Sequence, residues 1–511
     1  MKKLISILFS RMVIVGLLIL LQLLVLMAWI WQFSEYSEYI YTSLVIFSLA
    51  VALKVLSSDE NPSYKIAWLV PILLFPVFGG PLYLLFGSGR ITRGFKEHAG
   101  RIVKETQSYL VRNTDAENGL AAVDPEAERT SRYITEYGGY PLYQNSVVTY
   151  FPSGEAKFEA LKEQLEKAEH FIFMEYFIIG EGYMWNSLRD ILIRKAAEGV
   201  DVRIMYDDIG SLNTLPYKYD LYLGSLGIKC RVFNQFKPVA SVRMNNRDHR
   251  KIVVIDGHTG FTGGINLADE YINRVERCGH WKDTAVMIKG EAVWNLTVMF
   301  LRMWCESDAE REDFLAYAPH TYHAGPFVSD GFVQPYGDSP LDDEIVGENV
   351  YLNMINRAKN YVWISSPYLI IDNELTSALC LAAKSGVDVR IVCPHVPDKW
   401  YVHMMTRSAY PFLIKNGVKV YEYTPGFNHS KNFLVDDRMG TVGTINLDYR
   451  SLYLHFECGC WMYGCGALQD LKSDYLAMLD KCAPYTEEDC RRVRWPVRLM
   501  RSLLRVFAPL M

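Results

Sequence analysis

The sequence lacks any excess of positive charge. Its 53 Lys and Arg stand against 58 Asp and Glu, a formal net charge of −5, which excludes the broad basic field that holds a protein on nucleic acid by charge alone. It also lacks cysteine in any scaffold pattern: ten cysteines in 511 residues fall at irregular spacings, so a secreted disulfide framework is excluded. Cys458, Cys460 and Cys465 lie close together, but no pair has the spacing of a zinc knuckle, and the thiols are read as reduced. What the chain has in excess is apolar residues. Half of it is hydrophobic and the mean hydropathy is +0.01, high for a soluble protein of three ordinary domains, and the excess sits at the N-terminal end.

Met12 to Trp31 is a run without a charged residue, long enough at about 1.5 Å per residue to cross a hydrocarbon core of roughly 30 Å. Gln32 to Tyr36 offers no small-residue cleavage site, so the run is expected to stay as a transmembrane helix and not leave as a signal peptide. A second run, Tyr39 to Leu56, reads as a returning span, with Lys54 close enough to its end to snorkel. Lys2, Lys3 and Arg11 before the pair, with Lys54 and Lys65 after it, put both flanks in the cytoplasm. A third stretch, Ile66 to Phe86, carries Pro71, Pro76, Pro81 and Gly79-Gly80, which argue against a straight helix. The basic residues behind it would lie on the wrong side if it crossed. It is therefore expected to be re-entrant or interfacial, in preference to a third kinked span with an extracytoplasmic enzyme.

The remainder contains an internal repeat. Gly199-Val200-Asp201-Val202-Arg203-Ile204-Met205 recurs as Gly386-Val387-Asp388-Val389-Arg390-Ile391-Val392. Before each copy an apolar strand (171–177; 361–365) leads to a helical stretch (185–198; 375–385), and strands alternating with helices argue for an α/β sandwich in each half. Two lobes with pseudo-twofold symmetry are expected.

At an offset of 180 residues, His249-Arg250-Lys251 with Asp256 is answered by His429-Ser430-Lys431 with Asp436, and Gly263-Gly264-Ile265-Asn266 by Gly443-Thr444-Ile445-Asn446. Both fit H-x-K-x-x-x-x-D. Residues i and i+2 of a strand share a face, so each histidine projects with its lysine. The aspartates complete the motif and are kept in the catalytic set on that ground, although their opposite parity suits fixing a strand end, and Asp256-Gly257 is a turn dipeptide. A neutral imidazole needs a carboxylate on its second nitrogen; Glu457 and Asp283 are the candidates. Two histidines, two lysines and two asparagines converging between lobes suit an anionic phosphodiester. Lysines and asparagines would hold the non-bridging oxygens, one histidine would attack phosphorus, and the other would move the proton, with no metal or other cofactor.

At these residues the chain resembles the phospholipase D superfamily and, within it, the bacterial cardiolipin synthases. The likeness covers nearly the whole chain, including Asn61-Pro62-Ser63-Tyr64-Lys65-Ile66-Ala67-Trp68 through Gly87, Glu175-Tyr176-Phe177, Tyr206-Asp207-Asp208-Ile209-Gly210-Ser211, Asn246 to Tyr271, and Gly443 to Ser451 with Phe456-Glu457. Asn428 and His455 depart from it, standing where a leucine and an asparagine are expected. The resemblance implies phosphatidyl transfer between two phosphatidylglycerol molecules, giving cardiolipin and glycerol, with His249 as nucleophile and His429 as acid and base.

The arrangement expected is thus two transmembrane helices (1–57), a re-entrant or interfacial segment (58–88), a basic linker (89–134), phospholipase D-like lobes (135–325 and 326–485) and a basic amphipathic helix (486–511). In that last segment Arg494, Arg498, Arg501 and Arg505 stripe one face, and Trp495, Leu499, Leu503, Val506 and Leu510 fall largely on another. The pattern suits an anionic membrane surface, against the alternative of packing on the enzyme's own body. The catalytic set is His249, Lys251, Asp256, His429, Lys431 and Asp436, supported by Asn266, Asn446, Asp283 and Glu457. The partners expected are phosphatidylglycerol and anionic lipid, with no nucleic acid and no obligatory protein, at the cytoplasmic membrane with the lobes inside. Three other readings keep the fold: a membrane phospholipase D or other phosphatidyltransferase using water or another alcohol, a nuclease, and an inactive scaffold. The anchor and the acidic balance weigh against the nuclease, and the intact motifs weigh against the scaffold.

Overall fold

The alternation of buried strands and amphipathic helices read from the repeat builds two sheets of matching topology. A computed structural model of the chain describes residue 24 and residues 37–87, 93–235, 245–306, 312–342 and 344–510. The first lobe contains β1 (Ser146–Phe151), β2 (Phe171–Tyr176), β3 (Asp201–Asp207), β4 (Lys229–Phe233), β5 (Lys251–Ile255), β6 (Thr259–Gly263), β7 (His280–Lys282) and β8 (Ala285–Gly290). Apart from β7 they form one sheet in the order β1-β8-β6-β5-β2-β3-β4.

The second lobe contains β9 (Phe332–Asp338), β10 (Tyr361–Ser365), β11 (Leu369–Ile370), β12 (Asp388–Pro394), β13 (Lys419–Tyr423), β14 (Gly426–Asn428), β15 (Asn432–Val435), β16 (Met439–Gly443), β17 (Leu447–Asp448), β18 (Glu457–Tyr463) and β19 (Cys482–Tyr485). Its main sheet runs β19-β13-β12-β10-β15-β16-β18-β9. Read backwards and without β19, this is the order of the first sheet. In each, the first three strands of the α/β repeat pair in parallel and the rest antiparallel.

The crossover helices Tyr183–Ala197 and Asn373–Lys384 and the helix Val293–Glu306 supply the covering layers. Strands covered on both faces read as unbroken apolar runs, and β2, Phe-Ile-Phe-Met-Glu-Tyr, is buried at every position. Its Glu175 is therefore an anomaly that needs a partner. The two sheets face one another through their antiparallel halves, β16 and β18 against β6 and β8, with the Thr262 hydroxyl 3.3 Å from the Cys458 sulfur. This seam sets the ends of β5 and β15, and hence both histidine motifs, side by side.

The stretch expected as a basic linker is folded. Helices Arg93–Thr106, Thr114–Val123 and Pro125–Tyr133 occupy it, tied down by Arg302 to the Thr106 hydroxyl (2.8 Å) and by Tyr463 to Asp124 (2.9 Å). Asn113 and Asp124 cap the second and third helices, as their short acceptor side chains dictate.

The N-terminal residues form a separate compact unit. Helix Ser37–Leu56 holds the second apolar run, and the third is broken as its prolines require, into Pro62–Leu74 and Pro76–Leu82 with a non-helical Phe75 between them (φ −129°, ψ 67°). The two pieces fold back on each other so tightly that a Cβ on Gly79 would lie 2.4 Å from the Ile72 Cα. Val51, Val55, Trp68, Ile72 and Tyr83 form the core of this unit. Among the described residues no helix is long and apolar enough to cross a membrane. The second run is thus present as a helix without that character, and the expected first span, Met12 to Trp31, lies outside the described residues.

Candidate active site

Each histidine arrives on an extended segment just ahead of its strand. His249 N–H donates to the Phe456 carbonyl (2.9 Å) and His429 N–H to the Lys282 carbonyl (2.7 Å). Each backbone is therefore held by the other lobe, one residue before that lobe's buried carboxylate. The side chains follow. His249 Nδ1 lies 2.9 and 3.0 Å from the two oxygens of Glu457, and His429 Nδ1 lies 2.7 Å from Asp283 Oδ2. The pairs cross: lobe 2 orients the histidine of lobe 1, and lobe 1 orients that of lobe 2. Both carboxylates are fully buried.

The lysines complete the cluster. Lys251 and Lys431 are buried, and each ammonium donates back to the carbonyl of its own histidine. Lys431 Nζ also stands 2.9 Å from His429 Nδ1. Burial pushes the Lys251 ammonium down to about 8 and that of Lys431 to about 7, against the pull of Asp283 and Glu457. Burial, with Lys431 beside it, lowers His429 to about 4 although Asp283 opposes the shift. His249 is lowered as well, by burial and then by both lysines and His429. At neutral pH the site holds two uncharged imidazoles, Lys251 largely charged and Lys431 near its midpoint, and an arriving anion would favour the charged form of both lysines.

Asp256 and Asp436 stand elsewhere. Asp256 accepts from the backbone N–H groups of Glu169, His170 and Phe171 at 2.8–2.9 Å, and Asp436 from Lys359, Asn360 and Tyr361 at 2.7–2.9 Å. Each sits at positive φ in the tight turn after its strand and clamps the start of the neighbouring strand. Their placement in the catalytic set is therefore corrected: strand parity carries them away from the histidines, and they act on the scaffold.

The asparagines differ. Asn266 is spent on the fold, accepting from Ile178 N–H (3.0 Å) and donating to the Tyr271 hydroxyl (2.6 Å). The buried Asn446 Oδ1 has no hydrogen-bond partner, an uncompensated acceptor that a substrate hydroxyl would satisfy while the amide N–H groups stay available to an anion.

Several residues bearing on the site escaped the motif reading. Thr444 donates to Glu457 Oε2 (2.5 Å), whereas its counterpart Gly264 has no room for a side chain, since a Cβ there would lie 2.1 Å from Asp283 Oδ1. Tyr271 and Trp281 pack on His429, each at 5.5 Å between ring centroids. Below His249, Arg250 pairs with Glu175 (2.6 Å) and Asp248 (3.1 Å), which supplies the partner that Glu175 needs. Below His429 the same three places hold an uncharged network of Ser365, Ser430 and Asn428, with contacts of 2.6–2.7 Å. The departure at Asn428 is thereby explained: its amide serves two hydroxyls where a leucine would leave them unmet. Comparing the two motifs at their offset of 180 residues exposes the exchanges of Asp248 for Asn428, Arg250 for Ser430 and Gly264 for Thr444; the exchange of Glu175 for Ser365 falls at another offset and appears only in the matched strands.

The family described as "Cardiolipin synthase, PLD-like domain" matches residues 161–304 and 351–479, one segment in each lobe, and that described as "Phospholipase_D-nuclease N-terminal" matches residues 44–88. The chain belongs to the cardiolipin synthase, PLD-like family. Among relatives, an uncharacterized protein of Streptococcus mutans is 46% identical over 90% of this chain and 99% of its own length. Proteins named cardiolipin synthase are 32% identical in Halalkalibacterium halodurans (94% of this chain, 95% of theirs) and 34% in Geobacillus thermodenitrificans (93% and 94%). In fold, the chain is similar to the crystal structure of a phosphatidylserine synthase from Haemophilus influenzae, with a TM-score of 0.54 at 13% identity, covering 75% of this chain and 98% of that one.

Proposed function

We propose that this chain is a cardiolipin synthase, which transfers a phosphatidyl group from one phosphatidylglycerol to another and releases glycerol. The crossed His–carboxylate pairs carry the reading: two neutral imidazoles, each with Nδ1 held by a carboxylate, offer their Nε2 atoms to one phosphodiester between them. Lys251, Lys431 and Asn446 take the non-bridging oxygens and the charge that grows on them. His249, gripped by both oxygens of Glu457, keeps its proton on Nδ1 and attacks phosphorus through Nε2. The P–O bond to glycerol breaks, and His429 gives its proton to the departing alkoxide. The arriving phosphate, by offsetting the lysines, raises His429 so that its Nε2 takes up that proton from solvent before the alkoxide leaves. In the second half, His429 takes the proton from the hydroxyl of the incoming phosphatidylglycerol, whose oxygen displaces His249 and yields cardiolipin. The shared surroundings of His429 Nδ1, between Asp283 and Lys431, suit a group that changes protonation state. They support this division of roles over its reverse.

Attachment to the membrane is part of the proposal. It rests on the uncharged run from Met12 to Trp31, on the exposed Ile46, Leu49, Leu53 and Leu56 of helix Ser37–Leu56, and on the exposed Trp495, Leu499, Leu503 and Phe507 along one edge of helix Trp495–Phe507. The lobes lie on the cytoplasmic side by the charge of the flanks.

The test is reconstitution of the purified chain with phosphatidylglycerol as the only phospholipid and no added divalent metal. Cardiolipin and glycerol in near-equal amounts, lost in His249→Ala and His429→Ala, is the expected outcome. Phosphatidic acid with glycerol and no cardiolipin would make water the acceptor and the enzyme a phospholipase D.

A further inference from the structure

The pseudo-twofold axis relates His455 to Trp281. Each stands two residues before the carboxylate of the crossed pair, Glu457 or Asp283, and each packs a ring on the opposing histidine: Trp281 on His429, and His455 on His249 at 5.7 Å between centroids. Beside His429 the neighbour is therefore an indole that can bind nothing through a lone pair. Beside His249 it is a second imidazole. The His455 side chain is 10% exposed, and neither ring nitrogen has a hydrogen-bond partner. Its Nδ1 lies 3.8 Å from Glu457 Oε1, whose distance to His249 Nδ1 is 2.9 Å. One donor atom from each of His249, His455 and Glu457 falls within 4.8 Å of the other two.

Tetrahedral zinc, with bonds of about 2.0–2.2 Å to nitrogen and oxygen, sets its ligand atoms about 3.3 Å apart. The two spacings to Glu457, 2.9 and 3.8 Å, bracket that value, and the two imidazoles, whose ligand atoms lie within 4.8 Å of one another, would have to draw together to close the site. A route in exists on its far side: His455 lines a cavity of about 120 Å³ whose wall includes Asp342, Glu344 and Tyr453, and carboxylates there favour a cation.

We propose that His249 Nδ1, His455 and Glu457 form a three-ligand site for a borderline divalent transition-metal ion such as Zn²⁺, and that the ion switches His249 off. The metal takes the Nδ1 lone pair, so the single proton of the neutral imidazole moves to Nε2, the atom that attacks phosphorus. No proton is gained or lost overall. The Nε2 lone pair is consumed by that proton, and Glu457 ceases to orient the ring. Trp281 prevents the same event at His429. The switching clause rests on the reading of His249 as nucleophile; the binding clause does not.

Binding is measured on the full chain in detergent with Co²⁺ as a spectroscopic probe and with Zn²⁺ held by chelator buffers from nanomolar to micromolar, since repulsion by Lys251 and Lys431 restrains affinity. One ion per chain is expected, with a Co²⁺ spectrum free of the thiolate band that cysteine ligation would give. His455→Asn should weaken binding by at least about tenfold while its melting temperature without metal stays that of the wild type. In the reconstituted assay Zn²⁺ should inhibit the wild type and leave His455→Asn active. Unchanged binding in His455→Asn, or a thiolate spectrum, overturns the site. Stoichiometric binding without inhibition overturns the switch. A chain that binds Co²⁺ through His455 yet makes no cardiolipin without metal would instead refute the function proposed above.

Discussion

At the scale of single residues, the proposed reaction calls on two carboxylates that face the histidines, Glu457 and Asp283. Glu457 and Asp283 act by holding imidazoles in one tautomer and orientation, so replacing them with their amides should leave the fold intact and lower turnover. Glu457→Gln and Asp283→Asn are each expected to reduce kcat by roughly 10²–10⁴-fold, measured by cardiolipin formation, with melting temperatures near wild type. Loss of folding in place of loss of turnover would make the pairs structural. The lysines set the pH dependence. Both must be charged to hold an anion, and burial has lowered them to about 7 (Lys431) and about 8 (Lys251), so rising pH removes positive charge in that range. The profile of kcat/KM should therefore fall as pH rises through 7 and 8, where the loss of lysine charge adds to the loss of the proton that His429 must carry. A profile flat through pH 8 would mean that the lysines are not the phosphate ligands. The residues themselves explain how much of this was legible. His249, Lys251, His429 and Lys431 announce themselves by recurring at a fixed offset, and Glu457 and Asp283 could be nominated as partners. Which carboxylate serves which histidine depends on how the two lobes dock, and no local pattern carries that information.

Among the elements, the hairpin turns and the terminal helix show where pattern reading reaches and where it stops. The turns at Asp256-Gly257 and Asp436-Asp437 place both central residues at positive φ, the geometry of two-residue hairpins. The parity argument had already directed these aspartates away from substrate, whereas the motif alone kept them in the catalytic set. Helix Trp495–Phe507 presents two faces that the sequence does not separate. Leu504 packs with Met405 and Tyr449 of the second lobe, while Trp495, Leu499 and Leu503 are more than half exposed. Packing on the enzyme's own body is therefore present on one face, and the exposed face is the one proposed to meet the membrane, because amphipathic periodicity specifies a face and not what covers it. Leu499→Glu with Leu503→Glu should weaken binding to phosphatidylglycerol vesicles by tenfold or more, on the scale of about 1.5–3 kcal/mol for burying each leucine, without altering the melting temperature. Sedimentation with vesicles checks this, and unchanged partition would remove the helix from the membrane contact.

Taken as a whole molecule, the protein is two copies of one sheet order, and the likeness of strand order β1 to β8 and β9 to β18 was readable because a repeat needs only comparison with itself. The fold of residues 93–133 was not readable. Its helices are held by contacts such as Arg302 with Thr106 and Tyr463 with Asp124, which join residues far apart in the chain, and its charged surface gives the composition of a linker. The crossed pairs also bear on descent. A lobe alone would carry a histidine whose orienting carboxylate is missing, so a one-lobe ancestor could build this site only as a symmetric pair of identical chains, with two equivalent histidines sharing every task. Fusion into one chain broke that equality. It freed one half to replace Thr444 by Gly264, His455 by Trp281 and an uncharged serine network by buried ion pairs, or the reverse, and division of labour between the two histidines could follow from duplication without any new catalytic residue.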